Sequence, residues 1–261
     1  MNPAEAKVMI AMPVHSMMHP RTVTCLLNTY IWANKHNVRL DLSMRAGCGI
    51  VQKARNLALY DFMQSECNRL FWIDSDMIWT PEQFQMMLSL SLKMDAVGAT
   101  YPAKLDPPTF FVKFHGPRVE NLYHNEYGCL DVGGFGLGFT VMSRKMVEDV
   151  LSTKAWVYDQ IANLFLRDAF RVDTVPCETL GGPEIPGCPE ELYGKPLPAF
   201  RGEDVAFFDD CIQCGYRVWL YPDMDLGHSG EKVYRGDLMS VLGIDKLMEE
   251  GSNEAAEREQ V

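Results

Sequence analysis

Apolar positions along the chain fall into short continuous runs that alternate with stretches of helical spacing, and the alternation is regular to about residue 101. Lys7-Val8-Met9-Ile10-Ala11-Met12-Pro13 reads as a buried strand ending in a turn, and Pro20 to about Lys35 as the helix after it. Arg39 to Met44 alternates like a second strand. Gly47-Cys48-Gly49 then breaks the chain before a helix that starts at Val51. Arg69-Leu70-Phe71-Trp72-Ile73 is a third strand, so the order is βαβαβ, which predicts one doubly wound, nucleotide-binding half of an α/β fold. A helix from Pro81 to about Lys93 and a strand from Ala96 to Tyr101 extend it.

Beyond Pro102 the pattern changes to short strands broken by proline and glycine, Phe110 to Phe114 among them. Asp131-Val132-Gly133-Gly134-Phe135-Gly136-Leu137-Gly138 leads into a strand, Phe139 to Met142, and a helix from Ser143. These glycines stand between strands and not before a helix, so they do not match a dinucleotide fingerprint. Close backbone approach to a ligand, or a plain turn, accounts for them. Residues 172–198 are rich in proline and glycine and longer than a passive connection, a candidate lid or acceptor loop. Gly202-Glu203-Asp204 opens an amphipathic helix through Cys214, Tyr216 to Tyr221 is a last strand, and Glu249 to Val261 is an acidic tail.

At 261 residues and 47% hydrophobic the chain suits one large α/β domain. No stretch approaches the roughly 18 apolar residues of a membrane span, and the N-terminus lacks a basic region followed by an apolar run. A cytoplasmic protein with reduced thiols and no membrane partner is therefore expected. The net charge of −11 weakens nucleic-acid binding without excluding it, because much of the excess lies from Asp237 onward. Cys211 and Cys214, with Cys177 and Cys188, suggest either a four-thiolate zinc site or, for the helical pair, small apolar core residues.

The chemistry centres on Asp74-Ser75-Asp76. Two carboxylates one residue apart end a buried strand at the edge where open α/β sheets bind ligands, and such a pair calls for a hard divalent cation with a phosphorylated ligand. A turn with a helix cap is the plainer alternative. Arg55 suits a nucleotide's base or diphosphate, or is a surface helix arginine. Asp204, beside Glu203, is a candidate base if burial or its neighbour raises its pKa, and a helix cap otherwise. His228, flanked by Gly227 and Gly230, is an acceptable Mn²⁺ ligand, and Lys232 could meet a leaving diphosphate.

Taken in order, the Arg55-Asn56 helix, Asp-Ser-Asp, Gly-Gly-Phe-Gly, the Gly-Glu-Asp helix and His-Ser-Gly resemble GT-A glycosyltransferases of the compact, family-2-like kind carried by phages and large viruses. The likeness spans about Lys7 to Lys232, and it is similar in particular to enzymes that glycosylate 5-hydroxymethylpyrimidines in phage DNA. The resemblance implies a single-domain GT-A fold: a Rossmann-like mixed sheet with helices on both faces, a nucleotide-sugar half at 1–101, an acceptor-side half at 102–235 and a tail at 236–261. It further implies a Mn²⁺ or Mg²⁺ ion on Asp74, Asp76 and His228. The nucleotide-sugar, a UDP-sugar, would lie on Pro13, Arg55, Asn56, Asp74, Ser75 and Lys232. Gly133 and Gly134 would face the acceptor, and Asp204 with Glu203 would be catalytic. His-x-Gly-x-Lys is also similar to retaining enzymes of this fold, which leaves the stereochemistry open. Other acceptors (glycan, lipid or protein), a nucleotidyltransferase, and a non-catalytic sugar-nucleotide-binding module are the rivals. Met12 to Ser16 lacks the glycine- and basic-rich phosphate loop of the second of these. For a DNA acceptor, Lys104, Lys113, His115 and Arg118 form the candidate basic face.

Overall fold

The computed structural model describes residues 6–115 and 123–242. The chain runs β1 (Lys7–Val14), α1 (Pro20–Lys35), β2 (Arg39–Ala46), α2 (Val51–Gln64), β3 (Arg69–Ile73), β4 (Met77–Ile78), α3 (Pro81–Ser91) and β5 (Ala96–Gly98). Then come β6 (Val112–Lys113), β7 (Leu130–Asp131), β8 (Gly134–Phe135), β9 (Phe139–Ser143) and α4 (Arg144–Ser152). The remainder is β10 (Trp156–Asp159), β11 (Leu164–Arg167), β12 (Asp173–Leu180), β13 (Pro196–Arg201), α5 (Glu203–Gln213), β14 (Trp219–Leu220), β15 (Gly227–Ser229), β16 (Val233–Tyr234) and α6 (Leu238–Leu242).

Seven strands form one sheet in the order β2-β1-β3-β9-β5-β14-β7. β1 is parallel to both β2 and β3, while β9 enters antiparallel between β3 and β5, so the sheet is mixed. Both faces are covered, which is why β1 reads as a continuous apolar run. Val8, Ile10, Met12 and Val14 pack with residues of α1 and α3, whereas Met9 and Ala11 pack on the opposite face with residues of α2, α4 and α5. The expectation of one α/β domain, a mixed sheet with helices on both faces, holds.

Local chemistry explains the helix starts nearest the site. Pro20 begins α1 behind His19, whose ring accepts from Arg21 N. Thr80 and Gln83 form a reciprocal capping box ahead of α3. The segment expected to be a lid is instead an antiparallel ribbon of β12 and β13, and none of 173–201 lines the cleft described below. Its base anchors α5: Arg201 grips Asp173 at 2.5 and 2.8 Å and Asp209 at 2.9 Å. The expected acidic tail beyond Leu242 lies outside the described residues.

Candidate active site

β3 stops at Ile73, and the chain then makes a turn that presents two carboxylates to different partners. Asp74 N still pairs with Gly138 O at 3.1 Å, continuing the β3–β9 ladder by one residue. After the turn, β4 pairs antiparallel with β15, setting His228 opposite Met77, and Ser229 N donates to Asp76 O at 2.8 Å. This pairing carries the His228 ring to Asp76, with Nε2 at 3.3 Å from Oδ2. Lys104 Nζ donates to the same oxygen at 2.6 Å. Burial alone would raise the Asp76 pKa, but the hydrogen bonds and charge of His228 and Lys104 overcome it and lower it to about 2.

His228 Nδ1 lies 2.9 Å from Pro102 O. A carbonyl only accepts, so Nδ1 carries the proton, and Nε2 is left to hold a second proton or to offer its lone pair beside Asp76. That is the donor arrangement of a metal-binding histidine next to a carboxylate. Asp76 and His228 thus fit a hard cation that takes its other ligands from phosphate oxygens and water. Asp74 is turned elsewhere, and among the described residues no three His, Cys, Asp or Glu side chains gather as a closed metal site.

Asp74 belongs to a second cluster built around Arg55. The guanidinium, 3% exposed on α2, has Nη2 at 3.4 Å from both Asp74 Oδ1 and Asp204 Oδ1, and Nε at 3.7 Å from Glu203 Oε1. It packs over the Trp72 and Phe170 rings. Burial alone would lower its pKa, but the surrounding Asp204, Asp74 and Glu203 charges raise it. Asp204 is not a cap: Gly202 occupies that position, and Asp204 Oδ2 instead accepts from Leu137 N at 3.1 Å. Burial raises its pKa to about 6 against the pull of Arg55, with Glu203 and Asp74 adding to the rise.

Tyr101 joins the two clusters and was not singled out in the sequence. Its hydroxyl donates to Asp74 Oδ2 at 3.2 Å and accepts from Gly138 N at 3.2 Å, while its ring meets His228 edge-on. Burial first, then Asp74 and Asp204, push its pKa well above the ordinary phenol value, so the proton stays. Gly136 and Gly138 make this possible. A Cβ on Gly138 would stand 2.5 Å from Tyr101 OH and 2.7 Å from Asp74 Oδ2, and one on Gly136 2.9 Å from Tyr101 OH.

The cleft has two halves that share Tyr101, Glu203, Asp204 and His228. The polar half, about 460 Å³, adds Pro13, His15, Arg55, Asp74, Ser75 and Asp76. The apolar half, about 650 Å³, adds Phe111, Val112, Phe135 and Val205, with Lys104 and Lys113 beside them.

Several expected residues lie elsewhere. Asn56 is a structural clamp: its Oδ1 accepts from Ala169 N and Phe170 N at 3.2 and 2.9 Å, and its Nδ2 donates to Phe170 O at 3.3 Å. Lys232 lines neither half and is hydrogen-bonded to Asp106 on the surface; Lys104 is the lysine at Asp76. Gly133 donates its N–H to Lys113 O at 2.7 Å and packs against that residue, whereas Gly134 and Gly136 line the apolar half. Cys211 is buried in the core and no zinc cluster forms among the described residues. Of the candidate basic face, Lys113 is paired with Asp209 at 2.6 Å and His115 with Asp131 at 3.3 Å, and Arg118 lies outside the described residues.

No family model and no curated protein matches the chain. Among solved structures it is similar to a glycosyltransferase involved in the glycosylation of the major capsid of PBCV-1, at 10% identity and a TM-score of 0.29 over 54% of this chain. The match spans 62% of that protein, an overlap that leaves the site to be read from its own residues. Among the described residues no helix is long and apolar enough to cross a membrane.

Proposed function

We propose that the protein is a glycosyltransferase that moves a sugar from a nucleotide-sugar, taken as a UDP-sugar, to an acceptor hydroxyl. The observation that carries this reading is Asp204: a carboxylate with its pKa raised to about 6, held by Arg55 at the junction of a polar and an apolar half-cleft. A base of that strength is ionised near neutral pH and still accepts a proton in the transition state. In the reaction the acceptor oxygen bonds to the anomeric carbon as the bond from that carbon to the donor's phosphate oxygen breaks. The electron pair leaves on the diphosphate, and the hydroxyl proton passes to Asp204. This is a single, inverting displacement.

Asp74 is held by Arg55 and Tyr101 beside the reacting centre, and Lys104 brings positive charge to the side where the diphosphate leaves. Asp76 and His228 are the residues that would hold Mn²⁺ or Mg²⁺, which when bound supplies Lewis-acid stabilisation of the leaving diphosphate. The test is incubation with Mn²⁺ and a panel of UDP-sugars, following free UDP and the transferred sugar. UDP release with a transferred sugar identifies glycosyl transfer, release of sugar 1-phosphate would indicate a nucleotidyltransferase, and donor binding without turnover a binding module.

The acceptor implied by the family resemblance, a hydroxymethylpyrimidine in DNA, is the finer form of this proposal. Lys104 and Lys113 at the apolar half favour it, although each already pairs with a carboxylate for which phosphates must compete. Transfer to hydroxymethylated DNA, read by mass spectrometry of nucleosides, should fall with added salt if phosphate contacts carry binding. Salt-insensitive transfer, or transfer only to glycan, lipid or protein, removes DNA and keeps the enzyme class.

A further inference from the structure

α5 has one end in the cleft and the other in a chain of ion pairs. Glu203 and Asp204 open the helix, and Asp209 and Asp210 follow in its second half, about 8–9 Å further along the axis than Asp204. Asp210 is 2% exposed and is held by two segments outside α5, the turns after α4 and β11. Arg171 grips it with both terminal nitrogens, at 2.6 and 3.2 Å, and Lys154 Nζ stands 2.7 Å away. Burial alone would raise the Asp210 pKa, but the hydrogen bonds of Arg171 and Lys154 lower it, so the carboxylate stays ionised. Asp209 is held separately, one oxygen by Arg201 at 2.9 Å and the other by Lys113 at 2.6 Å. Asp173 ties the two grips together, 3.4 Å from Arg171 and paired with Arg201.

The cleft end of the helix is held more loosely. Gly202 at the cap brings no side chain, and Asp204 accepts a hydrogen bond only at Oδ2, from Leu137 N. Its Oδ1 has the Arg55 charge at 3.4 Å and no hydrogen bond among the described residues. In the middle of α5, Phe207 stacks on Phe170 and Phe208 meets Phe135, but apolar contact is non-directional. Successive helical side chains point about 100° apart, so grips on both Asp209 and Asp210 fix the rotation of α5 as well as its depth. We infer that Asp210, gripped by Arg171 and Lys154, is a positioning residue: it sets α5, and through it the place of the Asp204 carboxyl against Arg55 and the acceptor hydroxyl. The inference rests on the glycosyl-transfer reading for what Asp204 does, and on the ion pairs alone for how the helix is held. The groups that face Asp204 are Arg55 from α2, Asp74 after β3, Tyr101 after β5 and Glu203 on its own helix. None of them belongs to the chain of ion pairs, so Asp210 reaches Asp204 through the placement of the backbone.

The test places Asp210→Asn and Arg171→Gln in double-mutant cycles with Asp204→Asn, with rates referred to the folded fraction found by thermal denaturation. In the native background each change should lower kcat about 10–10²-fold, the scale of a misplaced reacting group, and leave the donor KM unchanged. In the Asp204→Asn background neither should lower the residual rate further. A loss of equal size in both backgrounds would overturn the inference and leave the glycosyl-transfer reading in place. Carbon-13 NMR of the Asp204 carboxyl supplies a readout that needs no turnover. Burial is the largest cause of its raised pKa, so a loosened α5 that admits water should lower it from about 6 in both variants. A change of field alone would lower it when the Asp210 anion is removed and raise it when the Arg171 cation is removed. Opposite shifts would therefore overturn the inference. Parallel downward shifts in a chain that transfers no sugar would uphold the hold on Asp204 and overturn the glycosyl-transfer reading. Arg171 is partly exposed, so Arg171→Gln decides by itself should Asp210→Asn not fold: a downward shift supports the inference and an upward one overturns it.

Discussion

The two halves of the cleft stabilise a ligand by opposite means. In the polar half nearly every charge is already matched: Arg55 with Asp74 and Asp204, and Asp76 with Lys104 and His228. In the apolar half the walls are Phe111, Val112, Phe135 and Val205, and the lysines beside them, Lys104 and Lys113, are already paired with Asp76 and Asp209. Prearranged charge is what a reaction with developing negative charge requires, since it need not reorganise during the step. Apolar walls discriminate by excluding groups that cannot leave water. The difference assigns chemistry to one half and selection to the other, with Asp204 at their boundary.

The sharpest way to break that division is Asp204→Asn. Transfer should fall by about 10²–10⁴-fold, the usual contribution of a general base, with donor binding by calorimetry retained. Stability should move the other way. The folded pKa of about 6 exceeds the ordinary 3.8, so the native state holds the proton between those values and loses stability as pH rises across that window. At pH 7 the variant should therefore be more stable by roughly 1–2 kcal/mol, allowing for the 22% of the side chain in contact with solvent, and the gain should vanish below about pH 4. Thermal denaturation at both pH values checks it. The acidic limb of the native rate profile should fall near pH 6 for the same reason. Equal stability at both pH values, with transfer intact, would return Asp204 to a structural role.

Gly138→Ala attacks the seam between the halves. Its Cβ would crowd Tyr101 OH and Asp74 Oδ2, and displacement of reacting groups by about 1 Å commonly costs on the order of 10²-fold in rate. Single-turnover kinetics should place the loss in kcat. Removing divalent ions with EDTA should lower transfer by at least about ten-fold, restored by Mn²⁺, and Asp76→Asn should weaken Mn²⁺ binding measured by calorimetry. Activity indifferent to both would take the cation out of the polar half. Two residues outside the cleft provide the contrast. Asn56→Ala should cost about 1–3 kcal/mol of stability by stranding the Ala169 and Phe170 amides, with the folded fraction fully active. Lys232→Ala should change both rate and melting temperature least, because the Lys232–Asp106 pair is exposed and screened by solvent.

The same contrast governs what the sequence made legible. β1 and β3 were readable because strands buried on both faces are continuous apolar runs, the edge strand β2 because its apolar and polar residues alternate, and α1 and α2 because they are long enough to express their period. β6, β7, β8 and β14 have two residues each, too short for any period, and their pairing depends on partners far along the chain. Asp74, Asp76, Asp204 and His228 were legible as residue types at element ends. Tyr101 was not, since it reads as the end of a strand and its role is set by glycines more than thirty positions later. Gly136 and Gly138, either side of Leu137 in the turn ahead of β9, were the available signal that a large side chain needed room. The contacts of Asn56, expected at the nucleotide, were hidden for a related reason. This residue follows Arg55 on the buried side of α2, and only the distant 168–170 turn reveals what its amide holds.

The pairing of β4 with β15 has a consequence for the chain as it is made. All seven strands of the main sheet are complete by Leu220, yet His228 reaches Asp76 only through a strand that begins at Gly227. A nascent chain can therefore pair all seven strands of the main sheet before its cleft is finished, with Leu238 still to join the core. Ribosome-stalled chains released just before Gly227 should be protease-resistant and inert, and a few further residues should switch them on. In chain order, the polar half stays incomplete until the strands that align it are all present.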